Sequence, residues 1–259
     1  MNVGLRETLR RAGVYSALRR VRYALHKPEW YARELDETRF YAQFVGRGSR
    51  AFDVGANMGE KTYYFRSLGA TVVAVEPGPA SLALLHQRFD GDGGVQIAPV
   101  AVGEAPGTAT LHISEWSPVS TLSNEWIEIY QTSKRGAGCE WPDAVDVTVT
   151  TLDALIEQYG EPDFCKIDVE GFEVPVLRGL TKPIKALSIE FQPETIHATE
   201  TAVNRLMSLG DYRFSYSYSS PMRLECPWLD PAPFLDAMRQ TAASRPEAWG
   251  DFFAVLGRP

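Results

Sequence analysis

Paired cysteines, long apolar runs and an excess of basic charge are all missing from this sequence. Its 259 residues include three cysteines, Cys139, Cys165 and Cys226, which are widely spaced. This spacing excludes a disulfide framework and a Cys-x-x-Cys metal site, and it favours a reducing, cytoplasmic setting. Nothing in the composition indicates a membrane span. Because the net charge is −7, a general nucleic-acid-binding protein is not expected.

The sequence predicts one main domain, residues 46–259, preceded by a basic helical arm, residues 1–45. Arginines interrupt every apolar run of the arm, so no signal peptide is expected. The arm could contact a membrane surface peripherally or an anionic carrier on the substrate. Packing on the catalytic domain, or on a second subunit of a homodimer, is the simpler expectation. The arm carries Arg6, Arg10, Arg11, Arg19, Arg20, Arg22 and Lys27 in a stretch with few acids.

The stretch 51–62, Ala-Phe-Asp-Val-Gly-Ala-Asn-Met-Gly-Glu-Lys-Thr, predicts a buried strand, a glycine-containing turn and a helix. Gly55 and Gly59 permit close approach of a ligand and positive φ angles. Asp53 ends the first strand, and Glu76 ends the next one, residues 71–76, where an acid can bind ribose hydroxyls. A third strand is predicted over residues 95–102.

The turn excludes one class of cofactor and favours another. A dinucleotide site requires Gly-x-Gly-x-x-Gly, but Asn57 and Glu60 occupy the second and third glycine positions. A carboxylate at Asp53 would repel a pyrophosphate and attract a cationic ligand. S-adenosylmethionine, which carries an ammonium and a sulfonium, is such a ligand.

Two further strands, residues 163–168 and 186–191, carry ionisable side chains. Ionisable groups in a central strand are costly unless they are paired, so we expect Lys166 to pair with Glu190. Asp168, Glu190 and Gln192 follow the strands' carboxyl ends and could instead hold Mg²⁺ or Ca²⁺. Because a lysine beside the site would compete with a cation, we predict no metal and metal-independent activity.

Four blocks of sequence together resemble the FkbM-type methyltransferases. They are Asp-Val-Gly-Ala-Asn-Met-Gly at 53–59, Val-Ala-Val-Glu-Pro at 73–77, Thr-Leu-Asp at 151–153, and Lys-Ile-Asp-Val-Glu-Gly-Phe-Glu at 166–173 with Val-Leu-Arg-Gly at 176–179. The resemblance implies an α/β, class I, Rossmann-like fold. Such a fold has a seven-stranded, mostly parallel sheet with one antiparallel strand and helices on both faces. It also implies S-adenosylmethionine as cofactor and transfer of a methyl group to a hydroxyl of a sugar or secondary metabolite.

The resemblance and the turn together assign candidate residues. The catalytic candidates are Asp168, Glu170 and His112, each a possible general base for an acceptor hydroxyl. The cofactor candidates are Asp53, Gly55, Ala56, Asn57, Gly59, Thr62, Glu76, Pro77, Ala101 and Asp168.

The acceptor is expected to be a small-molecule or glycan hydroxyl. The sequence lacks the Asn/Asp-Pro-Pro-Tyr pattern of amino-group methyltransferases and has Ile-Asp-Val-Glu at 167–170 instead. A protein-directed N-methyltransferase and a catalytically silent cofactor-binding subunit remain the alternatives. Insertions are expected near residues 115–145 and 219–248. The first carries Trp116, Trp126, Tyr130 and Trp141, which form either an acceptor wall or lid, or a cluster that only packs the insertion.

Overall fold

Strands and helices alternate along most of the chain, as the sequence predicts. The computed structural model describes residues 28–115, 119–219 and 222–258. The strands are β1 (Arg50–Val54), β2 (Thr71–Val75), β3 (Val95–Ala98), β4 (Ala101–Val102), β5 (Gly107–Ile113), β6 (Asp143–Thr150), β7 (Phe164–Ile167), β8 (Ala186–Phe191), β9 (Tyr212–Tyr218) and β10 (Gly250–Leu256). The helices are α1 (Pro28–Tyr41), α2 (Glu60–Ser67), α3 (Pro79–Phe89), α4 (Asn124–Thr132), α5 (Leu152–Tyr159), α6 (Glu173–Arg178), α7 (Ile196–Leu209) and α8 (Pro231–Ser244), with a 3₁₀ turn at Pro193–Thr195.

The main sheet has seven strands in the order β3-β2-β1-β7-β8-β10-β9. Only β10 runs antiparallel to its neighbours, β8 and β9. The predicted class I methyltransferase architecture, with one antiparallel strand, is therefore confirmed. All the parallel strands end at one edge of the sheet, and β10 begins there because it runs in the opposite direction.

Alternate residues of each central strand point to opposite faces and build two cores. Phe52, for example, packs against the layer of α5 to α8, whereas its neighbour Ala51 packs against the layer of α1 to α3. The second layer is rich in aromatic rings, and Phe44 stacks on Phe253 with ring centroids 5.2 Å apart. These two layers hold the strand ends rigidly, which is what a site at the sheet edge requires.

The third strand differs from its predicted extent. Pro99 interrupts it, because proline has no backbone N–H to donate to the sheet. The chain turns at that point, with the Val100 N–H donating to the Ala98 carbonyl at 2.9 Å. Ala101–Val102 then joins a second sheet of order β4-β6-β5, in which β5 and β6 are the antiparallel pair that the alternation predicts.

Helix α1 lies within residues 1–45, the predicted arm, and it packs against the domain. Phe40 and Tyr41, at its carboxyl end, are buried in the aromatic layer. The seven basic residues singled out in the arm lie outside the described residues. Within the described ranges, no helix combines the length and apolar character needed to cross a membrane.

Candidate active site

A cavity of about 680 Å³ opens over the edge of the main sheet at which the parallel strands end. Nine of the twelve candidate residues line it: Asp53, Gly55, Ala56, Asn57, Glu76, Pro77, Ala101, Asp168 and Glu170. Gly59, Thr62 and His112 do not. A ligand pocket at the carboxyl ends of the strands is typical of open α/β sheets.

The turn after β1 is held against the end of β7. Gly55 has φ +82°, and a Cβ added there would lie 1.8 Å from the backbone oxygen of Asp168. The Asp168 N–H in turn donates to the Val54 carbonyl at 3.0 Å. Glycine is therefore required at position 55, and it brings Asp53 and Asp168 to one side of the cavity.

Asp53 is almost fully buried at the back of the turn. Its carboxylate accepts a hydrogen bond from the Thr62 hydroxyl at 2.5 Å. Burial raises the pKa of Asp53, and the Thr62 hydrogen bond and the charge of Lys166 partly counter that rise. Because Thr62 is fully buried and does not line the cavity, it orients Asp53 rather than contacting a ligand.

Glu76 presents a fixed carboxylate to the cavity. One oxygen accepts the Asn57 N–H at 2.8 Å and the other accepts the Gly78 N–H at 2.7 Å. Burial raises the pKa of Glu76, while these two hydrogen bonds lower it. Each carboxylate oxygen has further acceptor capacity, so this group fits the ribose hydroxyls of S-adenosylmethionine. Together with the buried charge of Asp53, this set of acceptors suits the cofactor.

Two other candidates lie away from the cavity. A Cβ on Gly59 would lie 2.5 Å from Phe89 and 2.7 Å from Leu85, so this glycine allows α2 to pack against α3. His112 lies on β5 between Leu111 and Ile113, which both line the cavity. Since successive side chains of a strand point to opposite faces, His112 points away, and the structure does not bring it to the site as a base.

We expected Lys166 to pair with Glu190, and this prediction was wrong. Its Nζ lies 2.6 Å from Asp168 Oδ2 and 4.0 Å from Asp251 Oδ1, with only 2% of the side chain exposed. The strand register places Ser188 beside Lys166, so Glu190 lies two residues further along β8. Burial lowers the pKa of Lys166, but the charges of Asp168 and Asp251 outweigh it and raise that pKa overall.

Three carboxylates, Asp168, Glu170 and Glu190, meet near the centre of the cavity. Each offers an oxygen within 4.8 Å of the others, a spacing that a divalent cation could bridge. Gln192 Nε2 lies 3.3 Å from Glu190 and 3.5 Å from Glu170. Burial, followed by repulsion from Asp168, raises the pKa of Glu170 well above its usual value. Burial and repulsion from Glu170 do the same to Glu190.

The backbone at Glu170 is strained. Its φ is +52°, in the left-handed region that side chains other than glycine rarely adopt. The Thr121 hydroxyl, from the first insertion, donates to the Glu170 carbonyl at 2.6 Å. The Glu173 carboxylate accepts the N–H groups of Val169 and Gly171 on either side. These contacts hold Glu170 over the cavity, and strain of this kind is common at functional sites.

The aromatic residues of the first insertion pack on one another. Trp126 stacks on Tyr130 with centroids 4.5 Å apart, and Trp141 meets both rings edge to face. None of these three rings lines the cavity, which favours the packing cluster over the acceptor wall. Trp126 Nε1 donates to Gln192 at 3.2 Å, so the cluster still orients a residue beside the carboxylates. Trp116 lies outside the described residues.

Two cavity residues, Trp249 and Asp251, were missed by the sequence analysis. Both lie at the beginning of β10. Functional residues were sought after strands, where parallel strands place them, but an antiparallel strand places them at its start. The pattern Trp-Gly-Asp before the apolar run 252–256 was the available signal.

Comparison with known proteins is consistent with this site. The Methyltransferase FkbM domain matches residues 53–216. Hexuronic acid methyltransferase AglP of Haloferax volcanii is 28% identical over 65% of this chain and 66% of its own length. Methyltransferase sdnD of Sordaria araneosa is 29% identical over 49% of this chain and 59% of its own length. The chain thus spans less than two thirds of the length of each relative, 66% of the first and 59% of the second.

Solved structures give weaker likenesses. Precorrin-6y C5,15-methyltransferase from Geobacter metallireducens has a TM-score of 0.46 at 8% identity, covering 86% of this chain and 88% of that one. An S-adenosylmethionine-dependent O-methyltransferase from Thermotoga maritima has a TM-score of 0.40 at 12% identity, covering 86% and 66%. The domain match includes the turn at Asp53, Glu76 and the carboxyl ends of β7 and β8, and it extends over more than half of the sequence. The chain therefore belongs to the FkbM family of S-adenosylmethionine-dependent methyltransferases.

Proposed function

We propose that this methyltransferase is an O-methyltransferase, which methylates a hydroxyl of a sugar or of a secondary metabolite. The observation that carries the proposal is the carboxylate of Glu170, a candidate base that lines the cavity beside Asp168. The hexuronic acid methyltransferase among its relatives supports a sugar as the acceptor.

The cofactor half of the cavity is assigned to Asp53, Gly55, Ala56, Asn57, Glu76, Pro77 and Ala101. When bound, S-adenosylmethionine supplies an electrophilic methyl group on a sulfonium sulfur. Glu76 would accept the ribose hydroxyls, and Asp53 would provide negative charge toward the cation. Asp168, at the end of β7, contributes to the same site from the opposite side of the Gly55 turn.

An aliphatic hydroxyl needs a base, since its oxygen is a poor nucleophile until the proton leaves. Glu170 suits this role better than Asp168. Lys166 donates to Asp168 at 2.6 Å, so that carboxylate is already engaged by a cation. The pKa of Glu170 is raised by burial and by repulsion, so its carboxylate binds a proton more readily. Alignment of the acceptor with the methyl group supplies the rest of the rate.

The proposed base is tested by Glu170→Gln. We expect kcat to fall by about 10²–10⁴, the usual contribution of a general base. The affinity for S-adenosylhomocysteine, measured by calorimetry, should stay the same, because the ribose and ammonium contacts are intact. Glu104→Gln is the matched control, since Glu104 is exposed and does not line the cavity. Wild-type kcat in the Glu170→Gln variant would show that this residue is not the base.

The reaction class is tested with labelled S-adenosylmethionine and two sets of acceptors. The first is a set of methyl pyranosides, and the second is a lysine- and glutamine-containing peptide library. Methyl ether formation on the sugars, identified by mass spectrometry, is the expected result. N-methylated peptide would instead establish the protein-directed N-methyltransferase. Binding of S-adenosylhomocysteine with no transfer to any acceptor would favour a catalytically silent subunit.

A further inference from the structure

A large aromatic side chain stands exposed at one end of the cavity. Trp249 has 42% of its surface exposed and lines the cavity together with Met222. The backbone of Trp249 is fixed, because its carbonyl accepts the Ser219 N–H at 3.1 Å. A Cβ on the following residue, Gly250, would lie 2.1 Å from the Ser217 carbonyl oxygen, so β10 is held close against β9. The indole is therefore presented to the cavity by a rigid strand end.

Trp249 lies in the half of the cavity opposite the cofactor residues. Glu76 follows β2 and Trp249 precedes β10, and four steps of the strand order separate these two strands. Neighbouring strands are about 4.8 Å apart, so the two residues lie roughly 19 Å apart along the sheet edge. Glu170 follows β7, between them. A ring packed on Trp249 would consequently lie on the acceptor side of the proposed base.

Two carboxylates share the face of the sheet with Trp249. Asp251 is two residues further along, on the same face of the extended chain. Its register partner on β8 is Glu190, and register partners point to the same face. Both carboxylates line the cavity. An apolar ring beside two hydrogen-bond acceptors matches a pyranose, which has a face of C–H groups and a rim of hydroxyl donors.

We propose that Trp249 determines acceptor specificity by packing its indole on the C–H face of a pyranose, whose hydroxyls donate to Asp251 and Glu190. This inference rests on the proposed O-methyltransferase function and specifies its substrate class. Trp249 is a binding residue in this scheme and takes no part in proton transfer.

The test compares Trp249→Ala and Trp249→Phe with wild type. The acceptors are the methyl pyranosides of glucose, mannose, galactose and glucuronic acid, together with acyclic sorbitol. For the best pyranoside, we expect Trp249→Ala to lower kcat/KM by about 10- to 100-fold, mainly through KM, which corresponds to roughly 1.4–2.8 kcal/mol of lost binding free energy. Trp249→Phe should recover most of the loss, and turnover of sorbitol should change less than twofold.

Two controls separate recognition from folding. The affinity of Trp249→Ala for S-adenosylhomocysteine should match wild type, which shows an intact cofactor half. Trp30→Ala should have wild-type kinetics, because Trp30 is 60% exposed but does not line the cavity. Pyranoside methylation that is unaffected by Trp249→Ala would overturn this inference and leave the proposed function standing. Cofactor binding without methylation of any pyranoside would overturn this inference, whereas N-methylation of the peptide library with no methyl ether on any hydroxyl acceptor would overturn the proposed function as well.

Discussion

Replacing Lys166 with methionine should destabilise the protein strongly. Lys166 lies among the acids at the ends of β1 and β7 and at the start of β10, 2.6 Å from Asp168 and 4.0 Å from Asp251. Asp53 also lies within range of its charge, since Lys166 lowers the pKa of that carboxyl. Methionine fills nearly the same volume as the lysine stem, so the substitution removes the charge with little loss of packing.

The size of the expected loss of stability follows from the burial of the ion pair. Removing one partner of a buried ion pair costs about 3–5 kcal/mol, because the remaining charge is left unpaired in a medium of low polarity. Of the two acids that pair with Lys166, Asp251 has a side chain that is only 11% exposed, whereas Asp168 is 34% exposed and partly hydrated. Lys185→Met is the matched control, because Lys185 is 77% exposed and lies 3.7 Å from Asp163. An exposed pair of this kind contributes less than about 1 kcal/mol.

Urea unfolding of both variants at pH 7.5 and pH 5 is the assay. A lysine with a raised pKa in the folded state stabilises that state fully at any pH below its ordinary pKa of about 10.4, so Lys166 itself contributes equally at both pH values. Burial raises the pKa of Asp251, so in the variant this acid binds a proton more readily at pH 5 than at pH 7.5, which relieves part of its cost. The loss in Lys166→Met should therefore be smaller at pH 5 than at pH 7.5. A loss at pH 7.5 no larger than that of Lys185→Met would refute the argument.

Three further predictions concern Asp53, metal and Glu173. Asp53→Asn should weaken S-adenosylmethionine binding by about 1.5–3 kcal/mol in calorimetry, because a charge-assisted contact is lost; unchanged affinity would contradict the assignment. Turnover should persist in EDTA, because Lys166 already provides positive charge to the carboxylates; activity lost in EDTA and restored by Mg²⁺ would show that a cation is required. Burial raises the pKa of Glu173 to about 7, so the folded state keeps its proton to a higher pH than the unfolded chain, whose pKa is 4.5. The stability that Glu173 contributes should fall as pH rises from about 4.5 to 7. In urea titrations across that pH range, the free energy of unfolding of Glu173→Gln should rise by up to about 3 kcal/mol relative to wild type. Parallel stability profiles of the two proteins would argue against the raised pKa.

The cofactor half of the site could be predicted because its determinants are local in sequence. A strand, a turn with Gly55 and a helix follow one another within residues 50–67. The positive φ of Gly55 is required by this turn and can be inferred from the residue type alone. Glu76 needs only one further assumption, that the next parallel strand ends at the same edge. The structure places both residues at the cavity, as these short-range arguments predict.

Other features depended on strand pairing that the sequence does not specify. The partner of Lys166 is decided by the register of β7 on β8, which puts Ser188 beside the lysine. Asp251 reaches the same lysine only because β10 inserts between β8 and β9. His112 is outside the site because it lies on the face of β5 that points away from the cavity. A shift of one residue along the strand would reverse which side chains point inward. Residue types alone could not distinguish these arrangements.

The residues in the two halves of the cavity are positioned by different kinds of strand, and this explains why the acceptor is harder to infer than the cofactor. Asp53, Glu76 and Asp168 follow parallel strands, so each is placed by a strand that the core fixes on both faces. Trp249 precedes an antiparallel strand, at the end of the five-residue connection (245–249) from α8. Changes in that connection leave the parallel strands and their turns intact. Acceptor specificity can therefore vary through the segment before β10 while the cofactor half stays the same, and Trp249 is the position where we expect that variation to alter the choice of acceptor.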